Sequence, residues 1–279
     1  MNCLVTGGCG FIGKHLVKAL LEQKHEVTVW DIANSSKLSG IREHPELIHQ
    51  RIDIARHSLH PEWLEIDWVF HLAAVSRTVP AMNDPVECIR TNVLGTARLL
   101  EAARKANVKR VVVSSSNVVL AGQTPYRDSK RAVEEMCKTY IELYKQPVIA
   151  LRYSNVYGPG IPKGDPAVFA MLRDSYQERG YVEITGDGRQ TRDFTHVSDI
   201  VRGNILATES HATGIVDLCT GVQTSLNDAC KLLGIPVHYI SERPGDIRSM
   251  EQDGWPAEKI LGWVSEIELR EGIQDIWRI

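Results

Sequence analysis

Met1-Asn2-Cys3-Leu4-Val5-Thr6-Gly7-Gly8-Cys9-Gly10-Phe11-Ile12-Gly13 opens the chain and decides how the rest is read. The run up to Thr6 is apolar and of strand-forming type. Glycines at 7, 10 and 13 follow, then a helical pattern with apolar residues at Ile12, Leu16, Val17, Leu20 and Leu21. A second strand-like run, Glu26-Val27-Thr28-Val29-Trp30, ends on Asp31. Strand, glycine turn, helix, strand and terminal carboxylate make half of a dinucleotide-binding unit. The glycines serve a tight turn, the approach of backbone to a pyrophosphate, and close helix–strand contact. The helix start at Phe11 and Ile12 adds open N–H groups and a positive dipole, both suited to phosphate. Asp31 falls where a ribose 2′-hydroxyl partner is expected. Its charge would repel a 2′-phosphate, so NAD is expected rather than NADP.

Whole-chain properties fit that start. At 279 residues the chain can bury a large core and hold one large domain or two unequal ones. A net charge of −3 gives no global reason to bind nucleic acid or an anionic membrane. The basic cluster Arg104-Lys105 with Lys109-Arg110 reads as a solvated cap at a helix end. The six cysteines are scattered without metal-ligand spacing, and the ten histidines form no ligand cluster, so no metal site is expected. Buried thiols, a strand beginning at residue 2 and the lack of a membrane-length apolar run predict a cytoplasmic protein.

Strand-like runs at 26–31, 47–52, 67–72, 109–115 and 147–152 alternate with helical patterns at 11–23, 84–105 and 126–145. This predicts an α/β, Rossmann-type, doubly wound parallel sheet with helices on both faces. Past residue 153 the texture changes. Gly158-Pro159-Gly160-Ile161-Pro162 breaks the pattern, and later elements are shorter: helices near 164–179, 198–209, 224–233 and 266–277, and strands near 182–185 and 214–218. The expected division is a nucleotide-binding domain over 1–153, to which part of 191–219 returns, and a smaller lobe from 154–190 and 220–279. A cleft between them suits a second ligand.

The second constellation is Tyr126-Arg127-Asp128-Ser129-Lys130. Tyr126 and Lys130 share one helix face, which continues inward through Val133, Met136, Cys137, Tyr140, Ile141 and Tyr144. A tyrosine, with an ordinary pKa of about 10, is a poor base at neutral pH. A lysine cation at about 4 Å is worth roughly 4 kcal/mol at an effective dielectric near 20, about three pKa units toward the phenolate. Such a pair can remove a hydroxyl proton. Ser114-Ser115-Ser116 ends the strand before it, at the edge where a parallel sheet meets its ligand. Ser116 is the expected hydroxyl partner, with Ser115 the alternative.

Together these residues resemble the extended short-chain dehydrogenase/reductases that act on sugar nucleotides, and most of all enzymes of the UDP-glucose 4-epimerase type. The resemblance is carried by Thr6 to Gly13, Asp53-Ile54, His71-Leu72-Ala73-Ala74, Thr91 to Thr96, the serine run and Tyr126-x-x-x-Lys130. It continues through Leu151 to Pro159, Gly186 to Asp199 and Arg243-Pro244-Gly245-Asp246. It implies that Asp53 and Ile54 hold the adenine. Leu72, Ala73, Ala74, Asn92 and Ser114 would line the cofactor groove, and Tyr153 would lie by the nicotinamide. Asn155, Arg192, Arg243 and Asp246, with Ser116, would hold a UDP-sugar, while His71 and His196 are structural. The implied reaction oxidises C4 of a UDP-sugar (glucose, galactose or their N-acetylated equivalents) to a transient ketone and reduces it on the other face. Related dehydratases and decarboxylases place acids after the serine, where this chain has Asn117-Val118. Ser116 and Tyr126 are only ten residues apart, closer than is usual in the epimerases, which predicts a wider sugar pocket. A homodimer through 84–105 and 126–145 is also implied.

Overall fold

The protein is described by a computed structural model over residues 1–60, 65–242, 248–249, 252 and 254–277. Its apolar runs become the strands β1 (Asn2–Thr6), β2 (Glu26–Asp31), β3 (Leu47–Arg51), β4 (Trp68–His71), β5 (Arg110–Ser116) and β6 (Val148–Tyr153). After these come β7 (Asn155–Tyr157), β8 (Val182–Thr185), β9 (Thr191–His196), β10 (Gly214–Leu218), β11 (Gln223–Ser225) and β12 (Val237–Ile240). The helices are α1 (Phe11–Glu22), α2 (Thr78–Asn83), α3 (Pro85–Ile89), α4 (Thr96–Lys105), α5 (Pro125–Tyr144), α6 (Val168–Arg179) and α7 (Val197–Glu209). The chain ends with α8 (Leu226–Leu233), α9 (Trp255–Leu261), α10 (Leu269–Gly272) and α11 (Gln274–Trp277).

Seven strands form one parallel sheet in the order β10-β6-β5-β4-β1-β2-β3. Its two faces carry separate cores. Leu16, Val17 and Leu20 of α1 and Ile200 and Val201 of α7 pack on one face, against Val5, Val112 and Leu151. Leu99 and Leu100 of α4 and Val133 and Cys137 of α5 cover the other, against Leu4, Val111 and Val113. Adjacent residues of one strand therefore bury on opposite sides, as a doubly covered sheet requires. The strand order reverses direction between β1 and β4, and that switch point opens the crevice in which such sheets bind ligands. Of the segment 191–219, α7 and β10 sit on this sheet, while β9 pairs with β7 and β11 in a separate three-stranded sheet.

Local chemistry sets the ends of the catalytic-helix candidate. Thr124 Oγ1 accepts from the Arg127 N–H at 3.1 Å, Pro125 takes the first turn, and Lys145 closes α5 at φ +52°. Such a cap contributes about 1 kcal/mol. Three expectations change. The helix expected over 84–105 is broken: Asp84 caps Glu87 N–H at 2.9 Å, and a π turn over Arg90–Gly95 separates α3 from α4. Tyr144 is half exposed beneath the Arg104 guanidinium, 4.8 Å from its ring centre, instead of joining the core. Arg110 is buried, not solvated. Its guanidinium bonds the Ala207 carbonyl at 2.9 Å, that of Ala212, and Ser210 Oγ at 3.1 Å, closing the end of α7.

Candidate active site

The glycine turn is shaped by what a side chain would strike. Gly7 lies at φ +73°, and a Cβ there would stand 2.7 Å from the Ala73 nitrogen. At Gly13 a Cβ would press on the Gly7 carbonyl oxygen and lie 2.7 Å from Gly8 Cα. Gly10 begins α1 without a side-chain cap, so the first-turn N–H groups, Phe11 and Ile12 included, face the crevice unmasked by a neighbouring side chain. At the end of β2, Asp31 accepts from Cys9 N–H at 2.9 Å and from Ala33 N–H at 2.8 Å, which fixes its carboxylate against the turn. A cradle that only glycine permits, an open helix start and a fixed carboxylate fit a dinucleotide.

The wall opposite is the end of β4. Leu72 N–H donates to the Thr6 carbonyl at 3.0 Å and Ala73 N–H to Thr6 Oγ1 at 3.3 Å, which sets Ala73 and Ala74 beside the glycine turn. Beneath it His71 joins Thr6 Oγ1 (2.7 Å) to Thr96 Oγ1 (2.8 Å), and burial pulls its imidazole down to about 3. It is the structural histidine expected. Asn92, buried in the π turn, accepts from Val75 N–H (2.8 Å) and donates to the Val75 carbonyl (3.1 Å) and Ser129 Oγ (2.9 Å). It thus acts on the groove through the backbone it holds. Ser129 Oγ in turn donates to the Tyr126 carbonyl at 2.7 Å. The π turn exists where this inward amide is needed.

Asp53 caps its own turn, accepting from Ala55 N–H at 2.9 Å and Arg56 Nη1 at 2.6 Å, and Arg56 continues to Glu87 at 2.7 Å. Burial opposes its charge, but these bonds outweigh it and hold the carboxyl below its ordinary range. Ile54 is buried under Gly95, where a Cβ would meet Ile54 Cδ1 at 2.8 Å. Tyr153 is buried, its hydroxyl donating to Asn204 at 2.8 Å.

At the end of β5 the serines separate by strand period. Ser115 faces α5 and donates to Glu134 at 2.6 Å. Ser116 accepts from Val118 N–H at 3.3 Å and lies near enough to the Tyr126 phenol to favour its charged form. Lys130 is buried and donates to the Ser114 carbonyl at 2.8 Å, with Ser114 Oγ at 3.4 Å. Burial lowers its ammonium to about 8. Burial raises the Tyr126 phenol above its ordinary value, and the Arg77 charge and the nearby Ser116 hydroxyl oppose that rise.

In the three-stranded sheet Asn155 Nδ2 donates to the Asp193 carbonyl at 3.2 Å, which ties β7 to β9, and Arg192 Nη1 donates to the Thr191 carbonyl at 2.7 Å. Arg243 and Asp246 lie outside the described residues. Three residues escape sequence reasoning. Asp193, fully buried, accepts from Thr220 N–H (3.1 Å), Thr220 Oγ1 (2.9 Å) and Gly221 N–H (2.7 Å), anchoring the turn that enters β11. Glu134 is buried under Arg152, with bonds of 2.7 and 2.8 Å. Arg77 starts α2 at φ +78°, ψ 149°, a region that is essentially glycine-only and costs about 1–3 kcal/mol for other residues. Only the spacing of Glu134, four after Lys130, could have signalled one of them.

The six cysteines are buried outside any disulfide, and no cluster of metal-ligating side chains occurs among the described residues. No helix among them is long and apolar enough to cross a membrane.

Comparison with known proteins gives the same direction. Residues 3–218 match the model of the NAD dependent epimerase/dehydratase family. A Methanocaldococcus jannaschii protein provisionally named UDP-glucose 4-epimerase is 32% identical over 295 residues, covering 98% of this chain and 96% of that protein. UDP-glucuronic acid decarboxylase 1 of Xenopus tropicalis is 27% identical over 295 residues, covering 97% and 70%. The crystal structure of UDP-glucuronic acid 4-epimerase from Bacillus cereus, with UDP-glucuronic acid and NAD, superposes with a TM-score of 0.90 at 26% identity, covering 99% and 98%. This chain belongs to the NAD dependent epimerase/dehydratase family.

Proposed function

We propose that this enzyme inverts C4 of a UDP-sugar by oxidation and re-reduction at a single carbon. The observation that carries the reading is the meeting of Tyr126 and Ser116 at the end of β5, beside the glycine cradle and with Lys130 one turn along α5. NAD, when bound, supplies the acceptor and donor of the C4 hydride. Gly7, Gly10, Phe11, Ile12 and Gly13 would take its pyrophosphate, Asp31 its ribose, and the 72–74 backbone, Ser114 and Tyr153 the rest of the groove. Tyr126 takes the proton of the 4-hydroxyl and later returns it. Ser116 donates to whichever oxygen carries the charge, and Lys130, held on the Ser114 carbonyl, keeps that end of α5 positive. Asn155, Arg192 and, outside the described residues, Arg243 and Asp246 would grip the diphosphate, for which planar guanidinium forks are suited.

The decarboxylase among the relatives gives a second reading. Epimerisation is preferred because Asn117, buried after Ser116, stands where an additional acid would be required. The test is chromatography of products from UDP-hexoses and UDP-glucuronate incubated with the NAD-loaded enzyme. Interconverting 4-epimers are expected; a dehydrated product, or a UDP-pentose formed from UDP-glucuronate with loss of carbon dioxide, would overturn the reading.

We further propose a homodimer. Val79 and Met82 of α2 and Val86 and Ile89 of α3, two helices that pack on α5, are all exposed, Val86 by 65%. Large exposed apolar patches mark association surfaces. Val86→Lys is expected to shift sedimentation from dimer to monomer; a wild-type monomer would contradict this. Buried, unbridged thiols favour a reducing, cytoplasmic setting.

A further inference from the structure

Apolar packing holds α5 on the sheet without dictating its register. Val133 and Cys137 share a core with Val111 and Val113, and contacts of that kind have no direction of their own. The polar contacts beneath the helix do. Lys130 Nζ donates to the Ser114 carbonyl at 2.8 Å, and one turn further along the Glu134 carboxylate accepts from Ser115 Oγ at 2.6 Å. Tyr126 stands one turn before Lys130, and Ser116 follows Ser115 on β5. The two strand residues that hold α5 therefore come directly before the serine that is to share the sugar hydroxyl with Tyr126.

Glu134 is the most heavily tied member of this set. Arg152 Nε and Nη2 grip its carboxylate at 2.7 and 2.8 Å, a two-bonded fork from β6, and Arg152 lies beside Ser115 in the parallel register. On the far side of Arg152 comes Asp217 of β10, its Oδ1 at 3.7 Å from Nη1. One buried side chain of α5 is thus referenced to β5 and β6 directly, and to β10 through the arginine. Stability alone does not call for a charge here, since packed apolar residues commonly replace a buried ion pair without loss. What apolar residues lack is the directionality of a forked, charge-assisted bond.

We propose that Glu134 is a positioning residue for the reaction: through Ser115 and Arg152 it sets the register of α5 against β5, so that Tyr126 and Ser116 reach the same sugar oxygen. This rests on the reading of Tyr126 as the group that takes the 4-hydroxyl proton. Such a transfer needs heavy atoms about 2.6–3.2 Å apart, and a misplacement of about 1 Å costs on the order of 100-fold in rate. Lys130 alone gives α5 one directed bond on a flexible stem, about which the helix can pivot. The second bond, at Ser115, removes that freedom. Because Glu134 acts through other residues, its loss falls on kcat and leaves binding in place.

The test uses two variants. Arg152→Met with Glu134→Leu replaces the pair by apolar side chains, and Ser115→Ala cuts the bond to β5 alone. Each is assayed as NAD-loaded enzyme with the faster of UDP-glucose and UDP-glucuronate as substrate. The double variant is expected to lose on the order of 100-fold in kcat and Ser115→Ala about tenfold, while KM and the calorimetric affinity for NAD stay within about threefold. Ser115→Thr, which keeps the hydroxyl, is expected to return kcat to within about threefold of wild type. Unchanged kcat in either variant overturns the inference, as does a fall in kcat matched by equal weakening of cofactor and substrate binding. Should the double variant fold poorly, Ser115→Ala and its rescue decide. Tyr126→Phe keeps the two readings apart. Inactivity there, with full turnover in both variants, removes the role of Glu134 alone; turnover by Tyr126→Phe removes the proton-transfer reading and the positioning with it.

Discussion

Breaking the ion pair beneath α5 should cost more than any surface contact, and by a calculable amount. Glu134 lies four residues after Lys130 and eight after Tyr126, and only 5% of its side chain is exposed. It accepts from Ser115 Oγ at 2.6 Å and from Arg152 Nε and Nη2 at 2.7 and 2.8 Å, joining α5 to β5 and β6 at once. Arg152→Met leaves the carboxylate buried with a single hydroxyl donor. Removing one partner of a buried pair costs about 3–5 kcal/mol, and because the arginine side chain is 23% exposed we expect the lower end, about 3 kcal/mol. That is a large part of the 5–15 kcal/mol typical of a folded domain. Adding Glu134→Leu removes the more buried of the two carboxylates that Arg152 faces, Asp217 being the other at 3.7 Å, and should restore about 2 kcal/mol of the loss. Urea unfolding with unchanged slope measures both steps. Should the double variant prove no more stable than Arg152→Met alone, the stranded carboxylate is not what destabilises the single variant.

Other outcomes follow from the same geometry. Gly13→Ala forces a methyl into backbone, not into a yielding side chain, and should weaken NAD binding at least about tenfold by calorimetry while costing about 1–3 kcal/mol of stability; unchanged affinity would remove the cradle from the cofactor site. His71 is held neutral in the fold, with its imidazole at about 3, so the unfolded chain takes up a proton below about pH 6.5 that the native state refuses. Stability should therefore fall by about 2 kcal/mol between pH 7 and pH 5 through this group, and His71→Asn, although weaker at pH 7, should lose that much of the acid dependence. Lys130 works toward high pH. Its ammonium is lowered to about 8 against about 10.5 unfolded, so the unfolded state holds the extra proton in that window and stability gains from this group as pH rises through it. Lys130→Met should flatten that gain in melts between pH 8 and pH 10.

The first half of the molecule was legible because its constraints are local. Gly7 and Gly13 must be glycine for steric reasons visible in spacing, and Val111 to Val113 must be a central strand because both of its faces are apolar. Tyr126 and Lys130 follow from helical period alone. The serines show where that kind of reading stops. Ser115 and Ser116 look alike in sequence, but strand alternation sends one to Glu134 and the other to Tyr126, and only the register of β5 under α5 decides which. Glu134 escapes such a reading because its partners, Ser115 and Arg152, come from two other strands. Arg77 and the raised phenol of Tyr126 are beyond pattern altogether, since a backbone angle and the balance of burial against a distant charge leave no periodic trace. The smaller lobe was the least legible part, because strands as short as Asn155–Tyr157 and Gln223–Ser225 carry too few residues to show alternation.

The account turns on one claim, that the C4 hydrogen leaves and returns while Tyr126 handles only the proton of the hydroxyl. It is tested most directly with a UDP-sugar substrate deuterated at C4 and incubated with the NAD-loaded enzyme in ordinary water. Mass and nuclear magnetic resonance spectra of the product epimer should show the deuterium retained at C4, with Tyr126→Phe binding NAD yet giving no epimer. Loss of the label to solvent during inversion, or undiminished conversion by Tyr126→Phe, would contradict it.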